Sequence, residues 1–114
     1  MIGRLRKRYL ALKVESQDPL SERDLIRAIW DSILHLFGEY GASQTNLYLV
    51  EFTPKNGYAI LRCSHKAVDM VRASVVAITR INEKPVAVHV MRVSGTLRAL
   101  RKGVGGKFGD AQKV

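Results

Sequence analysis

Few of the side chains able to do acid–base, nucleophilic or metal chemistry stand at useful spacings. His35, His65 and His89 fall on three separate elements, with no cysteine or carboxylate at ligand spacing, and read as structural or surface residues. Cys63 is the one cysteine. It closes a strand whose Ala59 and Leu61 point to the core, so it reads as a small buried hydrophobe and not as a nucleophile. Glu15 and Glu51 each end a strand and could lie close, but two carboxylates alone prescribe no reaction. No Ser-His-Asp set and no Gly-Lys phosphate loop is present. The reading assigns no catalytic residue, no metal ligand and no cofactor to this chain.

What the sequence does concentrate is positive charge. The 114 residues carry a formal charge of +9 and a pI near 10.1, which points to a polyanionic partner. Residues 1–14 hold Arg4, Arg6, Lys7, Arg8 and Lys13 with no acid, and residues 92–114 hold Arg92, Arg98, Arg101, Lys102, Lys107 and Lys113 against Asp110. The middle is nearly neutral, so the excess sits at the two ends. A drift toward basic residues for solubility would have spread it. Arg4, Arg6, Lys7, Arg8, Arg92, Arg98, Arg101 and Lys102 are the candidate phosphate contacts. Ser94-Gly95-Thr96 precedes a short helix whose free N–H groups suit a phosphate, and Ser94 and Thr96 join the set on that ground; an ordinary helix cap explains the same spacing. Whether the fold brings the two clusters together is left open by the element order.

The elements that must position these residues follow from periodicity. Tyr9–Glu15 alternates, with Leu10, Leu12 and Val14 on one side, and reads as a half-buried strand. Ser21 caps a helix running to about Phe37, with Leu25, Ile26, Ile29, Ile33, Leu36 and Phe37 at helical spacing and Gly38 as its stop. Asn46–Thr53 and Tyr58–Cys63 read as strands joined at the Asn56-Gly57 turn. Ser64 opens a second helix to about Arg80, a turn covers residues 81–85, and Val86–Val93 is the fourth strand. A short helix spans about Gly95 to Arg101. The prediction is one α+β domain over residues 1–102, with a flexible Gly/Lys-containing tail at 103–114. Its βαββαβ order gives a ferredoxin-like, RNA-recognition-motif-like α/β sandwich: a four-stranded antiparallel sheet, two helices on one face, and a short C-terminal helix. The longest apolar run is four residues, so no membrane span is expected. Nor does an apolar segment follow the basic start, so a soluble cytoplasmic location is expected.

If both helices cover one face, the other carries Tyr9, Ala11, Lys13, Tyr58, Ile60, Arg62, Ala87, His89 and Met91. That is too apolar for a wet surface, so the third helix, a partner or RNA bases must cover it. Asn56-Gly57-Tyr58-Ala59-Ile60-Leu61-Arg62-Cys63 matches the RNA-recognition-motif signature at Gly57, Tyr58 and Ala59 and lacks its aromatics at Ile60 and Cys63. Protein or helix coverage is favoured over base stacking. Phe37, Tyr40, Tyr58, Ile60 and Met91 are the candidate protein-interface residues.

Four segments carry a family resemblance: Arg8-Tyr9-Leu10; Leu36-Phe37-Gly38-Glu39-Tyr40-Gly41; Gly57 to Cys63; and Arg92-Val93-Ser94-Gly95-Thr96 followed by Leu97 and a basic helix. In order and spacing, over about residues 8–102, the chain resembles the archaeal ribonuclease P protein component 2 family, related to a eukaryotic subunit shared by ribonuclease P and a second RNA-processing ribonucleoprotein. The resemblance implies a subunit that supports the ribonuclease P RNA in removing the 5′ leader of precursor tRNA. It further implies pairing with ribonuclease P protein component 3, possible self-association, and cleavage by RNA with Mg2+ used by the RNA subunit. Two other readings compete. A generic single-strand RNA-binding module would depend on Tyr9 and Tyr58. A small ferredoxin-like ligand-binding regulatory domain would show no salt-sensitive RNA binding, and the end-loaded charge argues against it.

Overall fold

The computed structural model describes residues 6–103. Arg4 and the predicted tail from 104 onward lie outside the described residues. Strand β1 (Lys7–Ser16) runs through the centre of the sheet. Its alternation holds: Leu10, Leu12 and Val14 are buried on the helical side. Helix α1 (Glu22–Ser43) starts where expected, with the Asp24 N–H donating to Ser21 Oγ at 3.0 Å and Glu22 and Asp24 in the first turn. Leu25, Ile29 and Ile33 form its buried stripe.

The first helical run stops at Gly38, as expected: Gly38 sits at φ 77°, ψ −179°, a region essentially reserved for glycine, and a further short helical stretch follows to Ser43. The break redirects the last turn so that Gly41 and Ala42 become buried, and the Thr45 hydroxyl donates to the Ala42 carbonyl. Strands β2 (Tyr48–Thr53) and β3 (Tyr58–Ser64) form the expected hairpin. Its turn closes with the Gly57 N–H donating to the Thr53 carbonyl at 2.8 Å, Gly57 being at φ 77°. The hairpin turn is in turn tied to β1, because the Val14 N–H donates to the Gly57 carbonyl at 2.6 Å.

The second helix is shorter than its periodicity suggested. Ser64 does not cap it; its hydroxyl donates to the Gln44 carbonyl, and a 3-10 turn at His65–Ala67 precedes α2 (Val68–Val76). Beyond α2 the chain extends, which lets Ile78 and Ile81 both reach the core. The segment read as a turn is a second hairpin, joining β4 (Arg80–Ile81) to β5 (Lys84–Ser94). Asn82 (φ 54°) and Glu83 (φ 67°) supply the paired positive φ of a type I′ turn. The sheet therefore has five strands, not four, in the order β2-β3-β1-β5-β4. Without the two-residue edge strand β4, that order is the ferredoxin-like one expected.

The two faces then divide. Helices α1 and α2 cover the side of Leu10, Leu12, Val14, Ala59, Leu61, Cys63, Val86 and Val88. Burial pushes the Cys63 thiol up to about 11. On the other side, helix α3 (Leu97–Gly103) lays Leu100 and Leu97 over Ala11, Ile60 and Val50, with Tyr9 and Tyr58 at the margins. The open face is thus closed in its middle by the chain's own α3. Among the described residues no helix is long and apolar enough to cross a membrane.

Candidate nucleic-acid interface

The sheet register decides the question that the element order left open. β1 and β5 are antiparallel neighbours, and Tyr9 pairs with Ser94. The start of β1 and the end of β5 therefore meet at one end of the sheet. Arg6 and Lys7 are exposed there, Arg8 is half-buried, and Arg92, Arg98 and Lys102 are exposed on β5 and α3. The Arg8 guanidinium donates to the Lys7 carbonyl at 3.0 Å and lies beside Gly95, where an added Cβ would come within 3.5 Å of it. The two cationic segments thus form one surface. Residues the sequence reading had not placed in the site add to it: Arg62 on β3, and Lys66, next to His65, whose N–H donates to the Arg6 carbonyl.

The opposite end of the sheet carries acids and bases together. Glu15 ends β1 and lies 3.5 Å from His89, Asp18 pairs with Lys84 at 2.6 Å, and Asp24 accepts from Asn82 at 2.9 Å. Glu22 and Glu83 lie at the same end. Glu15 and Glu51 do not come together: they lie on strands separated by β3, Glu15 beside His89 of β5 and Glu51 paired with Arg101 of α3.

Three of the expected contacts are placed otherwise. Arg101 donates to Glu51 Oε1 at 2.7 Å, with side-chain exposures of 27% and 19%, so its charge is matched inside the α3–β2 contact and is not offered to a phosphate. Ser94 Oγ accepts from the Thr96 N–H at 3.3 Å and Thr96 Oγ1 from the Ala99 N–H at 3.1 Å. These are capping bonds that explain both hydroxyls without an anion.

The candidate protein contacts also separate. Ile60 is fully buried beneath α3 and is not available to a partner while that helix is docked. Tyr58 is half-buried, with the Lys13 ammonium 4.6 Å from its ring centre. Phe37, Tyr40 and Met91 are exposed, Tyr40 by 79%, and Leu36 joins Phe37 and Tyr40 around the break in α1. Tyr9 and Tyr58 pack at the edge of the α3 cluster, so the stacking platform of an RNA-recognition motif is occupied by protein. The exposed aromatic on this face is one the sequence reading missed. Tyr48 on β2 is directly opposite Arg62, whose guanidinium carbon lies 4.7 Å from the Tyr48 ring centre.

Comparison with known proteins places this geometry. Residues 8–104 match the pattern of the Rpp14/Pop5 family. The chain is 39% identical over 95 residues to ribonuclease P protein component 2 of Methanosarcina mazei, covering 83% of this chain and 80% of that protein. It is 36% identical over 106 residues to the protein of the same description in Methanobrevibacter smithii, covering 87% and 88%. In fold it is similar to a chain in the cryo-EM structure of yeast ribonuclease MRP, with a TM-score of 0.68 over the whole of both chains at 13% identity.

Proposed function

Because the chain belongs to the Rpp14/Pop5 family, we propose that it is a protein subunit of ribonuclease P, binding and supporting the catalytic RNA that removes the 5′ leader from precursor tRNA. The observation that carries the reading is the meeting of both cationic segments at one end of the sheet, through the Tyr9–Ser94 pair. A folded RNA packs phosphates against one another, and fixed positive charge lowers the cost of that packing. Arg6, Lys7, Arg8, Arg92, Arg98 and Lys102 supply that charge, together with Arg4. In this reading the RNA holds the magnesium and carries out cleavage, and the protein shifts the RNA toward its active shape. Precursor tRNA is met within the complex, in the cytoplasm. The exposed Leu36, Phe37, Tyr40 and Met91 give the subunit an apolar contact for ribonuclease P protein component 3 or for a second copy of the chain.

The test is reconstitution with the RNA subunit and its other proteins across a magnesium series. Neutralising Arg6, Lys7, Arg8, Arg98 and Lys102 together is expected to raise the magnesium needed for half-maximal cleavage. A neutralised subunit that supports cleavage as well as the parent at every magnesium concentration refutes the assignment.

A further inference from the structure

Helix α3 covers the middle of the open sheet face and leaves its Tyr48 end bare. There one cross-strand row reads Tyr48, Arg62, Tyr9 and Ser94 from the edge inward, all projecting to the same face. Beside it lies a cleft of about 420 Å³ lined by Lys7, Asn46, Leu47, Tyr48, Arg62 and Ser64. That is within the roughly 300–1,000 Å³ of small-ligand clefts. Tyr48 is 55% exposed although Arg62 stacks over its ring, so the ring keeps a solvent-facing surface. Lys7 is exposed at the mouth, and neither its ammonium nor the Asn46 side-chain amide hydrogen-bonds to another described residue.

These four side chains offer different things. The Tyr48 ring, backed by a guanidinium, is a stacking surface of the kind that holds unpaired bases. Asn46 carries both a donor and an acceptor, the pair of functions needed to read a base edge. Lys7 and Arg62 place positive charge where a phosphate would follow. Bases inside a duplex are already stacked and cannot offer a free face, so the cleft suits a bulged or single-stranded residue. We propose that the Lys7–Asn46–Tyr48–Arg62 cleft seats one unpaired nucleotide of the bound RNA. Its base lies against Tyr48, its edge is within reach of Asn46, and its phosphate rests on Lys7. The proposal rests on the RNA-subunit reading above and assigns a specific contact within it.

The experiment uses the full chain and two labelled RNA hairpins, identical except that one carries a single bulged adenosine, titrated at several potassium chloride concentrations. The parent is expected to prefer the bulged hairpin. Tyr48→Ala is expected to weaken that hairpin alone by about 5- to 150-fold, the equivalent of ~1–3 kcal/mol for one stacked base, with no change in salt slope. Tyr48→Trp is expected to keep the preference, and Lys7→Ala to weaken both hairpins and reduce the salt slope by about one unit or less. Equal binding of both hairpins by the parent overturns the proposal but leaves the RNA-subunit reading intact, as does a Tyr48→Ala variant that binds as the parent does. A Tyr48→Ala variant that weakens both hairpins equally also overturns it. So does one that leaves both unchanged while losing association with another protein, which reassigns the cleft to a protein partner. A parent that binds neither hairpin at low salt sinks the broader reading as well.

Discussion

Leu100 is the side chain on which closure of the open sheet face depends. It is fully buried, and it packs with Leu97 against Ala11, Ile60 and Val50. Helix α3 has seven residues, too few to persist as an isolated helix in water, so it exists because it is docked. Replacing a fully buried leucine with alanine costs roughly 2–5 kcal/mol, the lower end applying where the site can collapse. For a domain of this size each kcal/mol lowers the melting temperature by roughly 4–8 °C, so Leu100→Ala is expected to melt at least ~8 °C below the parent. Leu36, at 45% exposure on α1, is the matched control, and Leu36→Ala is expected to cost well under half as much. Urea unfolding followed by circular dichroism gives the stability difference, and native-state hydrogen exchange locates it. Protection should fall first in residues 97–103, with new binding of a hydrophobic dye as Ala11 and Ile60 are uncovered. A Leu100→Ala variant within ~1 kcal/mol of the parent, together with α3 amides already unprotected in the parent, would show that α3 does not close this face.

Three further outcomes test the core and one turn. The buried Cys63 thiol is pushed from 9.0 to about 11, so at pH 8 its thiolate population is on the order of a hundredfold below that of an ordinary cysteine. Its reaction with a disulfide reagent should be slower by a similar factor than in urea-unfolded chain, and matching rates would contradict the burial. Because the folded value is the raised one, the linked stability is intact below about pH 9 and declines as pH rises toward 11, which unfolding curves at pH 8 and pH 10.5 can check. At Gly57 a Cβ would collide with the Val14 carbonyl oxygen, and φ 77° is already unfavourable for other residues. Gly57→Ala should cost ~1–3 kcal/mol from the backbone conformation and more from the collision, and a melting temperature equal to the parent's would rule out the turn geometry described.

Much of the fold was legible because burial repeats at short range. The alternation of Leu10, Leu12 and Val14, the stripe of Leu25, Ile29 and Ile33, and the Asn56-Gly57 turn each report their own geometry within a few residues. The features that escaped do not repeat. The stop at Gly38 was legible, but the helical turn that resumes beyond it to Ser43 is too short to show a period. β4 is two residues long, and its turn uses Asn82 and Glu83 without a glycine. The Arg101–Glu51 pair joins residues fifty apart, and nothing local marks it. Tyr48 was missed for a more specific reason. Counting back from the Thr53–Tyr58 pair without interruption sets Leu49 opposite Arg62. The register shift between Leu49 and Glu51 inserts Val50 as an extra residue, and that places Tyr48 there instead. The likeness to the family was carried by residues in β1, α1, β3 and the β5–α3 junction. The cationic segments were visible in composition, but their meeting depends on the β1–β5 ladder.

The concentration of positive charge at one end of the sheet, against a mixed-charge far end, has a consequence for the first moments of association. A body charged in this way experiences a torque as well as a pull in the field of a polyanion. It turns its β1 start and β5 end toward the phosphates while still a Debye length away, about 8 Å in physiological salt. Collisions then begin in the productive orientation more often than chance allows. Added salt shortens the reach of that torque, so it slows arrival even at concentrations where the assembled complex holds together.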